Sequence, residues 1–252
     1  MIDKTALIDK TAQIEENVEI GAYTAIGKNT IIRAGAKIGA NCFIEYSEIG
    51  ENCRIFHSAS VGTEPQDLSY KDKETKVFIG AGTVLREFVT INRGNKTDST
   101  IIGKNCYFMA CSHAAHDTRV GDNVIIANCS SLGGHVEVGE GAFISGNVGV
   151  HQWTRLGKGT MTGSNSMVGM DIIPYAACSG QRAVLEGLNL VGMKRREMTQ
   201  EQISQIKKAY KILFMSKLLL KDAVAQLETY QSAEIKEILE FIKNSKRSIA
   251  RP

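Results

Sequence analysis

Aliphatic residues punctuate the first two thirds of the chain with a period of six. Ile8, Ile14, Ile20, Ile26, Ile32, Ile38 and Ile44 follow without a break, and after one five-residue step the series resumes at Ile49, Ile55 and Val61. It continues at Ile79, Leu85 and Ile91, then runs from Ile102 through Phe108, Ala114, Val120, Ile126, Leu132, Val138, Ile144, Val150, Leu156 and Thr162 to Val168. This period fits neither a helix of 3.6 residues per turn nor the two-residue alternation of a flat strand, so each unit reads as a short strand and a corner. Three units close a triangular coil of 18 residues, and Ile102-Gly103, Val120-Gly121, Val138-Gly139 and Leu156-Gly157 recur at that spacing. The aliphatic side chain points inward, and the small residue after it permits the tight corner.

Two polar stretches interrupt the rhythm. "GTEPQDLSYKDKETKVF" follows Val61 and "NRGNKTDST" follows Ile91, predicting loops near 62–78 and 92–101. Loops that break out of a rigid coil commonly carry function. The period ends near Pro174. "TQEQ" at 199–202 has the form of a capping box, and Ile203, Ile206, Tyr210, Leu213 and Phe214 follow at helical spacing. Further helices are predicted over 218–227 and 232–243. The chain thus divides into a coil domain, 1–190, and a helical domain, 191–252.

Composition narrows the setting. The N-terminus has no basic stretch leading into an apolar one, and no run of 18 apolar residues exists, so neither a signal peptide nor a membrane span is expected and the cytoplasm is the expected location. Cys42, Cys53, Cys106, Cys111, Cys129 and Cys178 form no CxxC pair, which predicts reduced, mostly buried thiols. Charge is uneven: residues 194–252 hold 13 Lys+Arg against 7 Asp+Glu, a net +6, leaving 17 against 20, or −3, for residues 1–193. A basic end on a faintly acidic body suits an anionic partner. No nucleic-acid motif accompanies it, so nucleic acid is not expected.

Four of the five histidines gather in one stretch: His113 and His116 in "SHAAHD", then His135 and His151. Residues 18 apart in such a coil stack about 4.8 Å apart. Spacings of 19 and 16 therefore place His116, His135 and His151 near one vertical line. Three readings follow. Register alone can align polar residues on an exposed face; imidazoles can hold zinc; or a histidine can act as a general base with a neighbouring acid fixing its tautomer. Adjacent residues on a strand point to opposite faces, so spacing does not decide whether Asp117 reaches His116.

The repeat resembles the hexapeptide-repeat family, which implies a left-handed parallel β-helix followed by a small helical domain. Carbonic anhydrases of the γ class place zinc on the same fold, but "SHAAHD" does not reproduce their histidine spacing. "HAAHD" at 113–117, "GGHV" at 133–136, "VHQW" at 150–153, "GLNLVGMKRREM" at 187–198 and "PQDLSY" in the first loop together resemble the UDP-N-acetylglucosamine O-acyltransferases that begin lipid A synthesis. That resemblance covers nearly the whole chain. It implies transfer of a 3-hydroxyacyl chain from acyl carrier protein to the 3-position of a UDP-amino sugar, in a homotrimer with sites between subunits, without metal or other cofactor.

By the same resemblance His116 matches the general base, Asp117 its orienting acid, and the Gly134 N–H the oxyanion donor. His113, His135, His151, Gln152 and Asp67 match substrate-contacting positions; Asn189, Arg195 and Arg196 match the region holding the nucleotide. Met161 and Ser164 match positions that measure the acyl chain, and Ser164 in place of glycine implies a chain shorter than fourteen carbons. Ser69 and Val191 depart from the family pattern. Ser69 bears on the acceptor, because some members acylate a 3-amino sugar instead. A related acyltransferase on another sugar nucleotide and a catalytically inert scaffold are the other readings.

Overall fold

The computed structural model describes all residues, 1–252. The aliphatic positions each lie in a short strand, mostly two residues long, and these strands stack into three sheets of nine, eight and ten strands, parallel throughout except for the last strand of the third. The first sheet includes Phe43–Ile44, His113–Ala114, Ser131–Leu132 and Gly149–Val150; the second includes Ser99–Ile102, Arg119–Val120 and Glu137–Val138; the third includes Tyr107–Phe108, Ile125–Ile126 and Phe143–Ile144. The chain visits them in that order, turning corner one (first to second sheet), corner two (second to third) and corner three (third to first). In-register pairs such as Phe108 with Ile126 and Ala114 with Leu132 carry the spacing of 18. The result is a left-handed parallel β-helix with helices at its C-terminal end.

The repeat supplies the core directly. Ile26, Ile32, Ile44, Ile49, Leu85, Ile91, Phe108, Ile126, Leu132 and Ile144 are fully buried in the axis of the prism. Each contributes on the order of 2 kcal/mol through removal of its side chain from water. Thr162, the one polar member of the series, is also buried, and its hydroxyl accepts the Ser145 N–H at 3.1 Å.

One expectation is corrected here. The glycine after the aliphatic residue does not serve the corner dihedral; it lets neighbouring coils touch. A Cβ on Gly39 would lie 2.6 Å from the His57 nitrogen, and one on Gly139 2.4 Å from that of Lys158. The corner itself is turned by a left-handed residue further along, such as Asn105 at φ 53° or Asn123 at φ 58°. Asparagine tolerates that region better than most side chains.

Both interruptions fall at corner one, in consecutive coils. The first loop leaves Ser60–Thr63 and returns at Lys76–Ile79; the second leaves Thr90–Asn92 and returns at Ser99–Ile102. Arg93, 5% exposed, ties them together. Its guanidinium donates to Glu45 Oε1 and the Gly62 carbonyl at 2.9 Å each, and to the Tyr70 hydroxyl at 3.0 Å.

Beyond the last coil the chain forms an antiparallel hairpin, Ala176–Ser179 with Val184–Leu188, which the period does not announce. Four helices follow: α1 Leu190–Arg195, α2 Gln200–Phe214, α3 Leu220–Leu227 and α4 Ala233–Lys243. The capping box at α2 is complete, Thr199 and Gln202 each accepting the other's backbone N–H. The short α1 was not foreseen, because its six residues carry too few apolar positions to show a helical period. The tail returns to the coil: the Ala250 N–H donates to the Asp171 carbonyl at 2.9 Å. No helix is long and apolar enough to cross a membrane. Of the six cysteines, Cys111 and Cys129 are exposed and the other four buried.

Candidate active site

Corner one brings together the loops and three successive turns. His116 and Asp117 form the turn after the second loop, Gly134 and His135 the next, Gln152 and Trp153 the one after. Asp117, His135 and Trp153 occupy equivalent left-handed positions, at φ 61°, 58° and 66°. This resolves the question of reach. His116 and Asp117 are not on a strand, and the left-handed turn brings the carboxylate back onto the preceding ring, with Oδ2 2.7 Å from His116 Nδ1.

The second loop wraps that carboxylate. Asp117 Oδ1 accepts the backbone N–H of Asn95 at 3.0 Å and of Thr97 at 2.8 Å, with the Thr97 hydroxyl at 2.6 Å. Oδ2 accepts the Lys96 N–H at 3.0 Å. Burial alone would raise the Asp117 pKa, but the hydrogen bonds from His116, Thr97 and the loop amides outweigh it and hold the group far below the usual carboxylate range. Asp117 therefore stays ionised, takes Nδ1–H from His116, and leaves Nε2 with its lone pair outward.

Nε2 faces Asp67, whose Oδ2 lies 3.6 Å away. Asp67 is positioned from both sides: Asn95 Nδ2 donates to its Oδ2 at 2.7 Å, and the Ser69 N–H to its Oδ1 at 2.8 Å. Those Ser69 bonds hold the Asp67 pKa down. His135 closes the other side, its ring edge-on to His116 at 5.3 Å and its Nε2 3.3 Å from Asp117 Oδ2. Trp153 stacks on His135 at 3.7 Å and 7° between planes. A Cβ at Gly134 would lie 2.6 Å from His116 Cε1, so a larger residue there would push the His116 ring from its place.

His116, Asp117 and His135 place potential ligand atoms within 4.8 Å of one another. Their chemistry does not suit a metal. The lone pairs of Asp117 are already directed at the loop amides, the Thr97 hydroxyl and His116, so a cation would have to displace the groups that shape the site.

The remaining candidates divide in two. His113 and His151 line a groove of about 640 Å³ along the outside of the first sheet, with the side chains of Met167 and Met170 beside the backbone of the inward-facing Leu132, Val150 and Val168. Thr90 Oγ1 holds His113 Nδ1 at 2.8 Å, and burial lowers the His113 pKa. The three aligned histidines thus share one corner and its approach but not one column: His116 begins its turn, His135 ends its turn, and His151 precedes the turn. Ser164 sits at corner three beside the same sheet, and Met161 lies around that corner on the third sheet; neither lines this groove.

Asn189, Arg195 and Arg196 gather at corner two, away from His116. Asn189 caps α1 by accepting the Gly192 N–H at 2.9 Å and pins it to the coil by donating to the Gly159 carbonyl at 2.9 Å. Arg196 donates to the carbonyls of Glu140 and Gly141, and Arg195 is exposed. Sequence reasoning missed Asn95, Thr97 and Trp153. Their signals were present in "NRGNKTDST" and "VHQW", but nothing in spacing tells which loop residue meets which coil.

Comparison with known proteins follows the same outline. The model described as Udp N-acetylglucosamine O-acyltransferase, domain 2, matches residues 171–250, and the bacterial transferase hexapeptide model matches 11–46 and 99–134. The chain is 46% identical over 255 residues to the acyl-[acyl-carrier-protein]–UDP-N-acetylglucosamine O-acyltransferase of Thermodesulfovibrio yellowstonii, covering 99% of each. It is 45% identical over 207 residues to that of Myxococcus xanthus, covering 81% of this chain and 80% of the relative. Among solved structures, the UDP-N-acetylglucosamine acyltransferase of Bacteroides fragilis superposes with a TM-score of 0.97 at 38% identity over the whole of both chains. That of Francisella novicida superposes at 0.98 and 32% identity, over all of this chain and 94% of the other. With the repeat and the helical tail both matched and the fold shared along its whole length, the chain belongs to the acyl-[acyl-carrier-protein]–UDP-N-acetylglucosamine O-acyltransferase family.

Proposed function

We propose that this enzyme transfers a 3-hydroxyacyl chain from the thioester of acyl carrier protein to the 3-hydroxyl of UDP-N-acetylglucosamine, the opening step of lipid A synthesis in the cytoplasm. The observation that carries the mechanism is the Asp117–His116 pair, 2.7 Å apart, with Nε2 turned outward between Asp67 and Gly134. In this reading His116 Nε2 takes the proton from the acceptor hydroxyl as its oxygen attacks the thioester carbon. Ionised Asp117 stabilises the imidazolium so formed. The Gly134 N–H donates to the oxyanion of the tetrahedral intermediate. Collapse forms the ester, breaks the carbon–sulfur bond, and returns the proton from His116 to the departing thiolate.

The apolar groove beside His113 and His151 takes the acyl chain. Met161 and Ser164 lie outside this groove in one copy, and where a neighbouring copy brings them to its end they limit the chain to fewer than fourteen carbons. Gln152 contacts the substrate from the same corner. The nucleotide group Asn189, Arg195 and Arg196 stands at another corner of the prism, so one copy does not bring it to its own His116; two copies in a homotrimer would. Arginine suits the diphosphate, which its planar fork can pair bidentately. The net +6 of residues 194–252 steers the acidic carrier protein toward this assembly.

The test is single-turnover transfer from 3-hydroxyacyl carrier proteins of graded length to UDP-N-acetylglucosamine, in metal-free buffer, with wild type and His116→Ala. Transfer abolished by the substitution supports the base assignment. Intact transfer by His116→Ala, or loss of wild-type activity on metal removal, rules it out. Efficient use of a fourteen-carbon donor removes the length assignment.

A further inference from the structure

The second loop does more than wrap Asp117. Its Lys96 is fixed at the backbone by the N–H bond to Asp117 Oδ2 at 3.0 Å, and its side chain crosses to the first loop, where Nζ donates to Ser69 Oγ at 2.8 Å. The same hydroxyl lies 3.4 Å from Asn95 Nδ2, which also holds Asp67. Lys96, Ser69, Asn95 and Asp67 therefore form one bonded cluster at the mouth of the His116 site. The ammonium bonds a neutral hydroxyl rather than pairing directly with a carboxylate. That charge also reaches His135, where it opposes protonation.

A nucleophile activated by His116 must come within about 3 Å of Nε2. Nε2 faces Asp67, and Asp67 shares its turn with the Ser69 that holds Lys96. The acceptor's reacting atom therefore sits beside the crossing of the two loops. A 3-hydroxyl arrives there neutral. A 3-amino group arrives largely as an ammonium near neutral pH, drawn by Asp67 and Asp117 but opposed by Lys96.

We infer that Lys96 is a specificity-determining residue: its ammonium favours a neutral hydroxyl over an ammonium at the acceptor's reacting carbon. The inference rests on the acyl-transfer reading above and assigns that site its discrimination. It also explains how Ser69 contributes, as the hydroxyl that seats a cation supplied by the other loop. Unit charges a few ångströms apart in a wetted cleft change binding by about tenfold.

The experiment measures kcat and KM for UDP-N-acetylglucosamine and for its 3-amino analogue with wild type, Lys96→Met and Lys96→Arg. Binding of each sugar is followed separately through the fluorescence of Trp153, the one tryptophan of the chain. Lys96→Met is expected to shift the kcat/KM ratio toward the amino sugar by about tenfold, mainly by lowering its KM and its Kd. Lys96→Arg is expected to keep the wild-type ratio. A Lys96→Met ratio within twofold of wild type overturns the inference, as does an equal change for both sugars. A wild type that acylates neither sugar defeats the acyl-transfer reading itself. A wild type that acylates both, with an unmoved ratio in Lys96→Met, defeats only the role of Lys96.

Discussion

Corners one and two are turned by the same backbone but furnished by different residues. At corner two the left-handed position of eight successive coils is held by Asn17, Gly35, Asn52, Gly82, Asn105, Asn123, Gly141 and Gly159. At corner one the equivalent positions after the loops are Asp117, His135 and Trp153. Asparagine and glycine enter this conformation at little cost, whereas other residues carry on the order of 1 kcal/mol of strain each. Corner two is thus filled by residues that suit its backbone, and corner one by residues whose side chains must point to one place. The left-handed turn is what returns the Asp117 carboxylate to His116 and brings the His135 ring beside both. The loops at corner one then offset the burial of a carboxylate with amide donors. Strain alone does not mark the site, since corner three holds Tyr23, Ser58, Phe88, Cys111 and Cys129 in the same conformation; what sets corner one apart is that its side chains converge.

The comparison can be broken at several points. The largest effect is expected at His116: His116→Ala should lower single-turnover acyl transfer by about 10²- to 10⁴-fold while leaving the thermal midpoint nearly unchanged. A midpoint that falls with the activity would make the residue structural. Gly134→Ala should follow, with a loss of about 100-fold or more, because the new methyl would displace the His116 ring. Ordinary kinetics in that variant would mean that the ring has room to move. Thr97→Val removes a hydroxyl from Asp117 Oδ1, and about a tenfold fall in kcat is expected with KM little changed. The acid limb of the pH–rate profile should move with it, a shift that simple loosening of the loop would not produce.

Stability against pH offers a smaller effect. Burial lowers the pKa of His113 and His135, so the unfolded chain binds more protons than the folded one just below the ordinary histidine value of about 6.5. Stability should fall as pH drops below that value, by at most about 1.4 kcal/mol per unit for each histidine. Asp117 acts later: its contribution is complete above the ordinary carboxylate value of about 4 and is lost as pH falls through its much lower folded value. Urea melts between pH 4 and 7.5 check the histidine slope, and a flat profile would contradict it. The smallest effect belongs to corner two, where Asn105→Ala should cost about 1 kcal/mol of stability and no activity.

The hexad made the coil legible. Every aliphatic position from Ile20 to Val168 except Thr162 is a buried hydrophobic residue, because a period of six leaves one inward place per strand and apolar burial enforces it. The helices after Thr199 were legible for the same reason, through their apolar stripe and caps. Histidine spacing brought His116 and His135 to one corner but could not say whether Asp117 touched either. Direction at a corner depends on φ, and nothing in the letters "HD" states it.

By itself, then, the sequence determined the prism, its interruptions and the crowding of histidines, since all three follow from local periodicity and burial. The tertiary structure decided what those histidines face. Thr97 and Asn95 reach Asp117 across 20 and 22 residues, Asp67 meets Asn95 across 28, and Lys96 meets Ser69 across 27. Loops carry no repeat, so their contacts are set by where the stacked coils hold their ends, and that exists only once the coils have stacked.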